Sequence, residues 1–245
     1  MRIKAVKTKL LRPPQDDLFK VIKKSIKSLP NNSVLMVASK VVSLHQGRCI
    51  LKSKVTNKDR LIEKEADLFL PRRLSPGGYA VLTIKNNILI PTAGIDESNA
   101  GEYYILWPEK PQAAAKEIWQ FLRRTYRIKN VGVIISDSHT VPLRRGVMGV
   151  AVGYWGFQPV NDYRGTKDLF NRKFKVSTVD VADSLAAAGM VAMGEGRERT
   201  PLVIISEIPF VRFASRPRKF KPKLEISLDY DLYGPILKSV KWRKK

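Results

Sequence analysis

Cysteine and histidine are scarce in this sequence of 245 residues. Cys49 is the only cysteine, which excludes an internal disulfide and a zinc site built on cysteines. His45 and His139 are the only histidines, too few for a metal centre rich in histidine. Any metal would therefore be held by oxygens and would be a hard ion such as magnesium or manganese.

Familiar nucleotide motifs and long apolar runs are also missing. There is no GxxxxGK[ST] loop and no GxGxxG after a strand, so neither a Walker-type nor a Rossmann-type site is predicted. The amino-terminal stretch MRIKAVKTKLLRPPQDD has no apolar segment of signal-peptide length, and no later run reaches the ~18 apolar residues of a membrane span. We expect a soluble, cytoplasmic protein without a membrane partner.

Acidic residues are half as frequent as basic ones, 22 against 45, which gives a net charge of +23. Such an excess of basic residues is a feature of proteins that bind nucleic acid, because Lys and Arg neutralise phosphates. The charge is spread out and is densest at the two ends; residues 210–245 hold eleven basic and three acidic residues. No nucleic-acid recognition motif accompanies it, so nucleic acid is not an expected partner.

The pattern along the chain predicts a mixed α and β protein. Hydrophobic residues make up 44% of the sequence, enough for one large domain or two intimately joined ones. An amphipathic helix is predicted behind Asp16 and Asp17, a hairpin around Asn86 and Asn87, and helices over 110–126 and 176–193. The glycine-rich stretch 146–156 suits close packing or the approach of backbone NH groups to an anion.

Two predicted strand ends share one design. NILIPTAGIDESN and VGVIISDSHTVPLRRG each place an apolar run directly before Asp and Ser, which would deliver Asp96 and Asp137 to the mouth of a cleft. The two carboxylates, with Ser138 as a neutral ligand, would suit a divalent ion that carries nucleotide phosphates. Alternatively, each aspartate caps the turn that follows its strand. The pattern alone leaves both readings open.

The order of several segments resembles a known family. SKVVS, AGIDESN, VIISDS, RRGVMGVAVGYWG, DYRGTKDLFNR, VADSLAAAGMVAMGEG and TPLVII are similar to the coenzyme F420-0:L-glutamate ligases, the GTP-dependent γ-glutamyl ligases of deazaflavin cofactor biosynthesis. The match runs from about residue 10 to about residue 207. AGIDESN and the SDS segment are its most specific parts, and their joint occurrence favours the hypothesis that the two aspartates bind a metal ion.

The resemblance implies an amide ligase. GTP, as co-substrate, phosphorylates a terminal carboxylate of the anionic acceptor, and the amine of L-glutamate attacks the acyl phosphate. The cofactor implied is Mg²⁺ or Mn²⁺, together with a possible monovalent cation. The catalytic residues implied are Asp96 and Asp137, which hold one metal with Ser138, while Glu195 serves a second metal. The nucleotide-binding residues implied are Ser39, Lys40, Asn99, Met193, Gly194, Gly196 and Arg197.

The same resemblance implies an α+β fold with mixed sheets and flanking helices. It divides the chain into a ligase domain over 1–209, with two closely associated, interleaved subdomains, and a basic extension over 210–245. An intertwined homodimer is implied, with the site near the subunit contact. From the residues themselves, Arg144, Arg145 and Arg164 are candidates for binding the acceptor's carboxylate or phosphate, with surface ion pairing as the alternative.

The sequence departs from the family pattern at three places. Leu44 stands where the family usually has a lysine, KLLRPPQDDL replaces a loop that contains glycine, and Asn171 replaces a glycine. These changes leave the acceptor open between F420-0, a folate and another acid. Two hypotheses from other functional classes also remain. One is a non-catalytic homologue that binds nucleotide, and the other is a nucleic-acid-binding protein on an enzyme scaffold.

Overall fold

The computed structural model describes residues 1–214 and 223–244. Within them the chain forms strands and helices in mixed order. The strands are β1 (Arg2–Val6), β2 (Ser33–Ala38), β3 (Cys49–Leu51), β4 (Leu68–Phe69), β5 (Leu82–Lys85), β6 (Ile88–Pro91), β7 (Tyr103–Ile105), β8 (Val131–His139), β9 (Met148–Trp155), β10 (Val160–Asp162), β11 (Thr178–Asp180) and β12 (Leu202–Ser206). The helices are α1 (Leu18–Ser25), α2 (Ser39–His45), α3 (Lys58–Glu65), α4 (Pro111–Tyr126), α5 (Val181–Met193) and α6 (Gly234–Ser239).

A five-stranded sheet with the order β1-β12-β2-β8-β9 forms the centre of the molecule. All its neighbouring pairs are antiparallel except β2 and β8, which run parallel. Both of these strands are almost continuously apolar and buried, as is typical of strands covered on two faces. Because they run parallel, both end at the same edge of the sheet, where the functional residues follow.

Alternate residues of β2 face two different apolar clusters. Leu35 and Val37 pack with α1 and α4, whereas Val34 and Met36 pack with α5. This period of two is the side-chain alternation of a strand, and it places helices on both faces of the sheet. The mixed α+β fold predicted from the sequence is confirmed.

Aspartate side chains cap the amino-terminal ends of two of the predicted helices. The Asp17 side chain accepts a hydrogen bond from the Lys20 amide at the start of α1, as expected from the acidic pair there. The helix predicted over 176–193 begins at Val181, so the prediction was wrong for residues 176–180. Thr178–Asp180 instead pair with β10, and the Asp180 side chain accepts from the Asp183 amide as the N-cap of α5.

Glycines in β9 allow helices to approach the sheet closely. A Cβ added at Gly149 would lie 2.4 Å from the carbonyl oxygen of Ala186 in α5, and one at Gly153 would lie 2.6 Å from that of Pro111 in α4. Real Cβ atoms do not approach backbone this closely, so the helices pack here only against glycine. Of the two readings of the stretch 146–156, these contacts support close packing.

A smaller apolar cluster lies around the three-stranded sheet β4-β5-β6. The predicted hairpin is present: β5 and β6 are antiparallel, and Asn86 and Asn87 at the turn have φ of 48° and 62°. Two positive φ values are typical of a type I′ turn, which Asn tolerates well. Asn171, at the position where the family has glycine, also has a positive φ, 63°.

The described carboxyl-terminal residues pack against both sheets. Arg243 exchanges two backbone hydrogen bonds with Phe69 of β4, and the Asn87 side chain donates to the carbonyl of Ile226. At the central sheet, the Ala214 amide donates to the carbonyl of Gly156. None of the helices in the described part of the chain has the length and apolar character needed to cross a membrane.

Candidate active site

One cavity of about 530 Å³ lies at the edge where β2 and β8 end. Its lining includes every residue predicted above to bind metal or nucleotide: Ser39, Lys40, Asp96, Asn99, Asp137, Ser138, Met193, Gly194, Glu195, Gly196 and Arg197. The volume is within the range of ligand pockets, ~300–1,000 Å³. Segments that are far apart in sequence are thus brought together around one space.

The parallel pairing of β2 and β8 explains how SKVVS meets SDS. Ala38 lies opposite Ser136, so the next residues along the two strands, Ser39 and Asp137, are neighbours. The Ser39 side chain is near enough to the Asp137 carboxylate to lower its pKa by hydrogen bonding. Asp137 also accepts a 2.8 Å bond from the Ser138 amide. The end of a rigid central strand therefore fixes this carboxylate.

Asp137 has no ion-pair partner among the described residues. Burial raises the pKa of Asp137 to about 7; the negative charge of Asp96 adds to this effect, while the hydrogen bonds and Lys40 oppose it. A half-buried carboxylate without a counter-ion is costly. It is a favourable position for a cation.

Asp96 reaches the cavity from the other side, on the loop that follows β6. Its backbone forms a β-bridge with Ile105, with both hydrogen bonds at 2.9 Å. One carboxylate oxygen accepts from the amide and the hydroxyl of Ser98, at 2.7 and 2.8 Å. Asp96 therefore does cap a turn, as the alternative reading supposed, and it also lines the cavity.

Lys40 connects the two sides of the cavity. Its ammonium lies 2.6 Å from the second carboxylate oxygen of Asp96 and donates to the carbonyl and the hydroxyl of Ser98, at 2.8 and 3.0 Å. The lysine side chain is 23% exposed. Lys40 thus carries the positive charge nearest to Asp96 among the described ion pairs.

The segment 194–200 closes the cavity beyond the end of α5. Gly194, with a φ of 73°, caps the helix, and the Thr200 hydroxyl donates to the carbonyl of Met193. The Asn99 side chain donates to the carbonyl of Gly196 at 3.1 Å, which ties this segment to the Asp96 loop. Burial raises the pKa of Glu195, and the charges of Asp96 and Glu198 add to the effect while Lys40 opposes it.

The donor atoms around the cavity fit a hard divalent cation that keeps few protein ligands. Two carboxylates, Asp96 and Asp137, meet with the Ser138 hydroxyl nearby, and Mg²⁺ takes its remaining ligands from water and phosphates. No group of three or more His, Cys, Asp or Glu side chains at ligating spacing is found within the described residues. An all-protein cage is therefore not present in that part of the chain.

The three candidate arginines lie outside the cavity lining. Arg144 and Arg145 are exposed on the loop between β8 and β9. Arg164 forms a two-armed ion pair with Asp162, with bonds of 2.9 and 2.6 Å. For Arg164 the structure thus has the surface ion pair that was the alternative, and within this chain none of the three is brought to the cavity.

The amino-terminal wall of the cavity is formed by residues 8–11, where the departure KLLRPPQDDL begins, but none of them was among the predicted site residues. Pairing of β1 with β12 places this segment beside 199–201, and the Thr8 amide donates to the carbonyl of Arg199. The short charged strand β1 gave no clear signal. Leu44, another of the three departures from the family pattern, is buried and lines the cavity, so its side chain adds apolar surface there.

Comparison with known proteins agrees with this geometry. The model of the family F420-0:Gamma-glutamyl ligase matches residues 5–207. The coenzyme F420:L-glutamate ligase of Methanopyrus kandleri is 34% identical over 242 residues, which cover 92% of this chain and 89% of that protein. Proteins of the same name from Methanococcus maripaludis strain C7 and Methanocaldococcus jannaschii are 35% and 31% identical, each over 74% of this chain and 78% and 79% of their own. The chain belongs to the F420-0:gamma-glutamyl ligase family.

Proposed function

We propose that this protein is a GTP-dependent γ-glutamyl ligase that joins L-glutamate to the terminal carboxylate of coenzyme F420-0. The observation that carries the proposal is one cavity whose lining contains two carboxylates, Asp96 and Asp137, together with the predicted nucleotide-binding segments. A ligase that consumes a nucleotide needs these parts side by side. Family membership gives the reaction class.

The reaction has two steps whose atoms balance. A carboxylate oxygen of the acceptor attacks the γ-phosphorus of GTP, and the bond to the bridging oxygen breaks, which releases GDP and leaves an acyl phosphate. The amine of L-glutamate then attacks the acyl carbon, inorganic phosphate leaves, and the nitrogen gives up a proton. The first step brings two anions together, so their repulsion has to be neutralised.

The residues that line the cavity supply this neutralisation. Asp96, Asp137 and Ser138 would hold a divalent cation, with Glu195 toward a second; the cations would offset the phosphate charge. Lys40 and Arg197 add positive charge to the same space. Ser39, Asn99, Met193, Gly194 and Gly196 would contact the nucleotide. A monovalent cation is a further expected ligand.

The acceptor is tested by a phosphate-release assay with GTP, L-glutamate and manganese. Parallel reactions contain F420-0, a folate, or no acceptor. We expect turnover that depends on F420-0. Turnover with the folate alone would move the proposal to a folate-type acceptor, because a γ-carboxylate supports the same chemistry. No turnover with either, despite tight GTP binding, would support the non-catalytic homologue instead.

We also propose a homodimer, with the site near the subunit contact. Large apolar side chains on the loops 139–148 and 162–179 stand exposed in the single chain: Leu143, Leu169, Phe170 and Val176. Contact between copies would cover such a surface. Light scattering on the purified protein should give the mass of two chains, and a monomer that remains active would contradict the proposal.

The proposed division of the chain is a ligase domain over 1–209, with two interleaved subdomains, and a basic extension over 210–245. An apolar cluster around α3 and β4 that is distinct from the cluster of the central sheet supports two subdomains, and Ile90 of β6, which packs with the central cluster, joins them. The 92% coverage by the Methanopyrus relative reaches beyond residues 5–207, so that relative shares at least part of the extension.

A further inference from the structure

We propose that Lys40 is an internal counter-ion of the metal site: its ammonium holds Asp96 while no divalent cation is bound, and it transfers to the nucleotide phosphates when one binds. This inference rests on the proposed function, because it concerns the same cavity. It concerns which charge neutralises Asp96 before the substrates arrive.

The contacts of Lys40 are complete without any ligand. An ammonium group has three N–H donors and no acceptor. In the structure three oxygens surround it: one from the Asp96 carboxylate at 2.6 Å, and the carbonyl and hydroxyl oxygens of Ser98 at 2.8 and 3.0 Å. All three partners belong to the Asp96 loop, whereas Lys40 belongs to α2. The lysine therefore fixes the loop against the central sheet.

The two carboxylates of the cavity differ in their ion pairs. Lys40 neutralises Asp96 directly, whereas Asp137 has no ion pair among the described residues. A divalent cation held by Asp96 and Asp137 would need a carboxylate oxygen of Asp96. It would then lie close to the lysine ammonium, and two positive charges a few ångströms apart repel each other. Metal and the present position of Lys40 therefore compete.

A phosphate group removes this conflict. The ammonium released from Asp96 needs a new anionic partner, and the phosphates of a nucleotide in the same cavity offer several oxygens. The exchange predicts that metal and polyphosphate strengthen each other's binding by more than their direct contact provides. By linkage the coupling is reciprocal, so it can be measured from either ligand.

The test uses the full-length protein and manganese binding followed by electron paramagnetic resonance, with and without tripolyphosphate or GTP. For Lys40→Met we expect manganese alone to bind about tenfold more tightly than to the wild type, because the competing charge is gone. The coupling between manganese and tripolyphosphate should fall by about tenfold. Lys40→Arg, which keeps the charge, should bind manganese alone much as the wild type does.

Lys9→Met is the matched control for a general loss of positive charge. Lys9 also lines the cavity, but it pairs with Asp16 at 2.8 Å. Its removal should change manganese affinity by less than about twofold, since exposed charges are screened. Thermal unfolding of each variant reports whether the fold is kept. If Lys40→Met failed to fold, Ser98→Ala, which removes one of the three acceptors, should show a smaller change in the same direction.

Two outcomes would overturn the proposal. One is a Lys40→Met variant that binds manganese alone no more tightly than the wild type, and the other is an equal gain in Lys9→Met. Tighter manganese binding by Lys40→Met together with no effect of GTP on any variant would support the counter-ion but contradict the proposed GTP-dependent function. The two proposals can therefore fail separately.

Discussion

The two carboxylates of the cavity are held by differently built parts of the molecule. Asp137 lies two residues before the end of a nine-residue strand of the main sheet and is half-buried. Asp96 lies on an exposed loop whose position depends on lysines: Lys40 inside the cavity, and Lys52 and Lys58, which bind Gly101 and Glu97 from outside. Both residues have backbone pairing, but Asp137 belongs to the main sheet, whereas the isolated β-bridge of Asp96 is supplemented by the ion pair with Lys40. The Asp96 loop is therefore the part that we expect to adjust when ligands bind.

The largest expected effect is a loss of turnover, and it is tested by comparing Asp137→Asn with Asp96→Asn. Both should lower turnover by at least about 1,000-fold, because a hard cation loses an anionic ligand. Their stabilities should differ: Asp137→Asn removes an unpaired half-buried charge and should unfold at the same or a higher temperature. Asp96→Asn leaves Lys40 without its partner and should unfold at a lower temperature than the wild type. Near-normal activity of Asp137→Asn with magnesium or manganese would show that the metal assignment is wrong.

Packing of the central sheet can be tested at Gly153. An Ala Cβ would meet the carbonyl of Pro111 at 2.6 Å, so α4 or β9 must shift, and we expect Gly153→Ala to cost about 2–3 kcal/mol. Gly165 is the control: its φ of 82° strains any other residue, but open space surrounds it, so Gly165→Ala should cost only about 1 kcal/mol. Urea unfolding measures both. Equal costs would mean that the sheet is not closely packed there.

Glu65 provides a pH test of the smaller sheet's surroundings. Burial alone would raise the pKa of Glu65, but the hydrogen bond from Lys85 and the charges of Lys85 and Arg48 outweigh it, so the pKa lies below its usual value. A lowered carboxylate pKa stabilises the fold above the unfolded-state pKa, and this contribution is lost as pH falls through the folded-state value.

Glu65→Gln should therefore cost about 1–2 kcal/mol at pH 7, and the difference from the wild type should shrink below about pH 4. Thermal unfolding across that range is the measurement. Glu63→Gln, on the same helix and outside the Lys85–Arg48 cluster, is the control. A cost that stays constant with pH would show that the ion pairs do not supply the stability.

The smallest expected effect concerns the outer side of the Asp96 loop. Lys58 pairs with Glu97 and lies 5.6 Å from the centre of the Tyr104 ring. Since the pair is partly exposed, Lys58→Met should weaken manganese binding by only about two- to threefold and leave the unfolding temperature nearly unchanged. A tenfold loss would mean that the outer contacts, rather than Lys40, position Asp96.

Much of the central architecture could be predicted from the sequence. Buried parallel strands are long apolar runs, so β2 and β8 were clear, and α4 carried a strong helical period. The start of α5 was placed too early, because Thr178–Asp180 read as a continuation of the helix. Strand β1 was missed because it is an edge strand with alternating charges, and only its pairing with β12 makes it a strand.

The sequence indicated which segments line the cavity, but it could not indicate the contacts between them. AGIDESN and SDS point to a site by their residue types, and the family resemblance assigned their roles. The ion pair between Lys40 and Asp96 joins residues 56 positions apart, through a helix and a loop of different sheets, and no local pattern encodes it. Arg144, Arg145 and Arg164 were chosen for their chemistry alone, and within this chain they do not line the cavity.

The backbone bridge between Phe69 and Arg243 has a consequence for synthesis on the ribosome. Strand β4 is made early, yet Arg243, which pairs with its Phe69, follows much later in the sequence. During translation the edge of the small sheet therefore remains unpaired until the segment with Arg243 has been made, and an open strand edge is a place where chains can associate wrongly. The synthesis of this late segment, rather than the appearance of the catalytic segments, completes this edge.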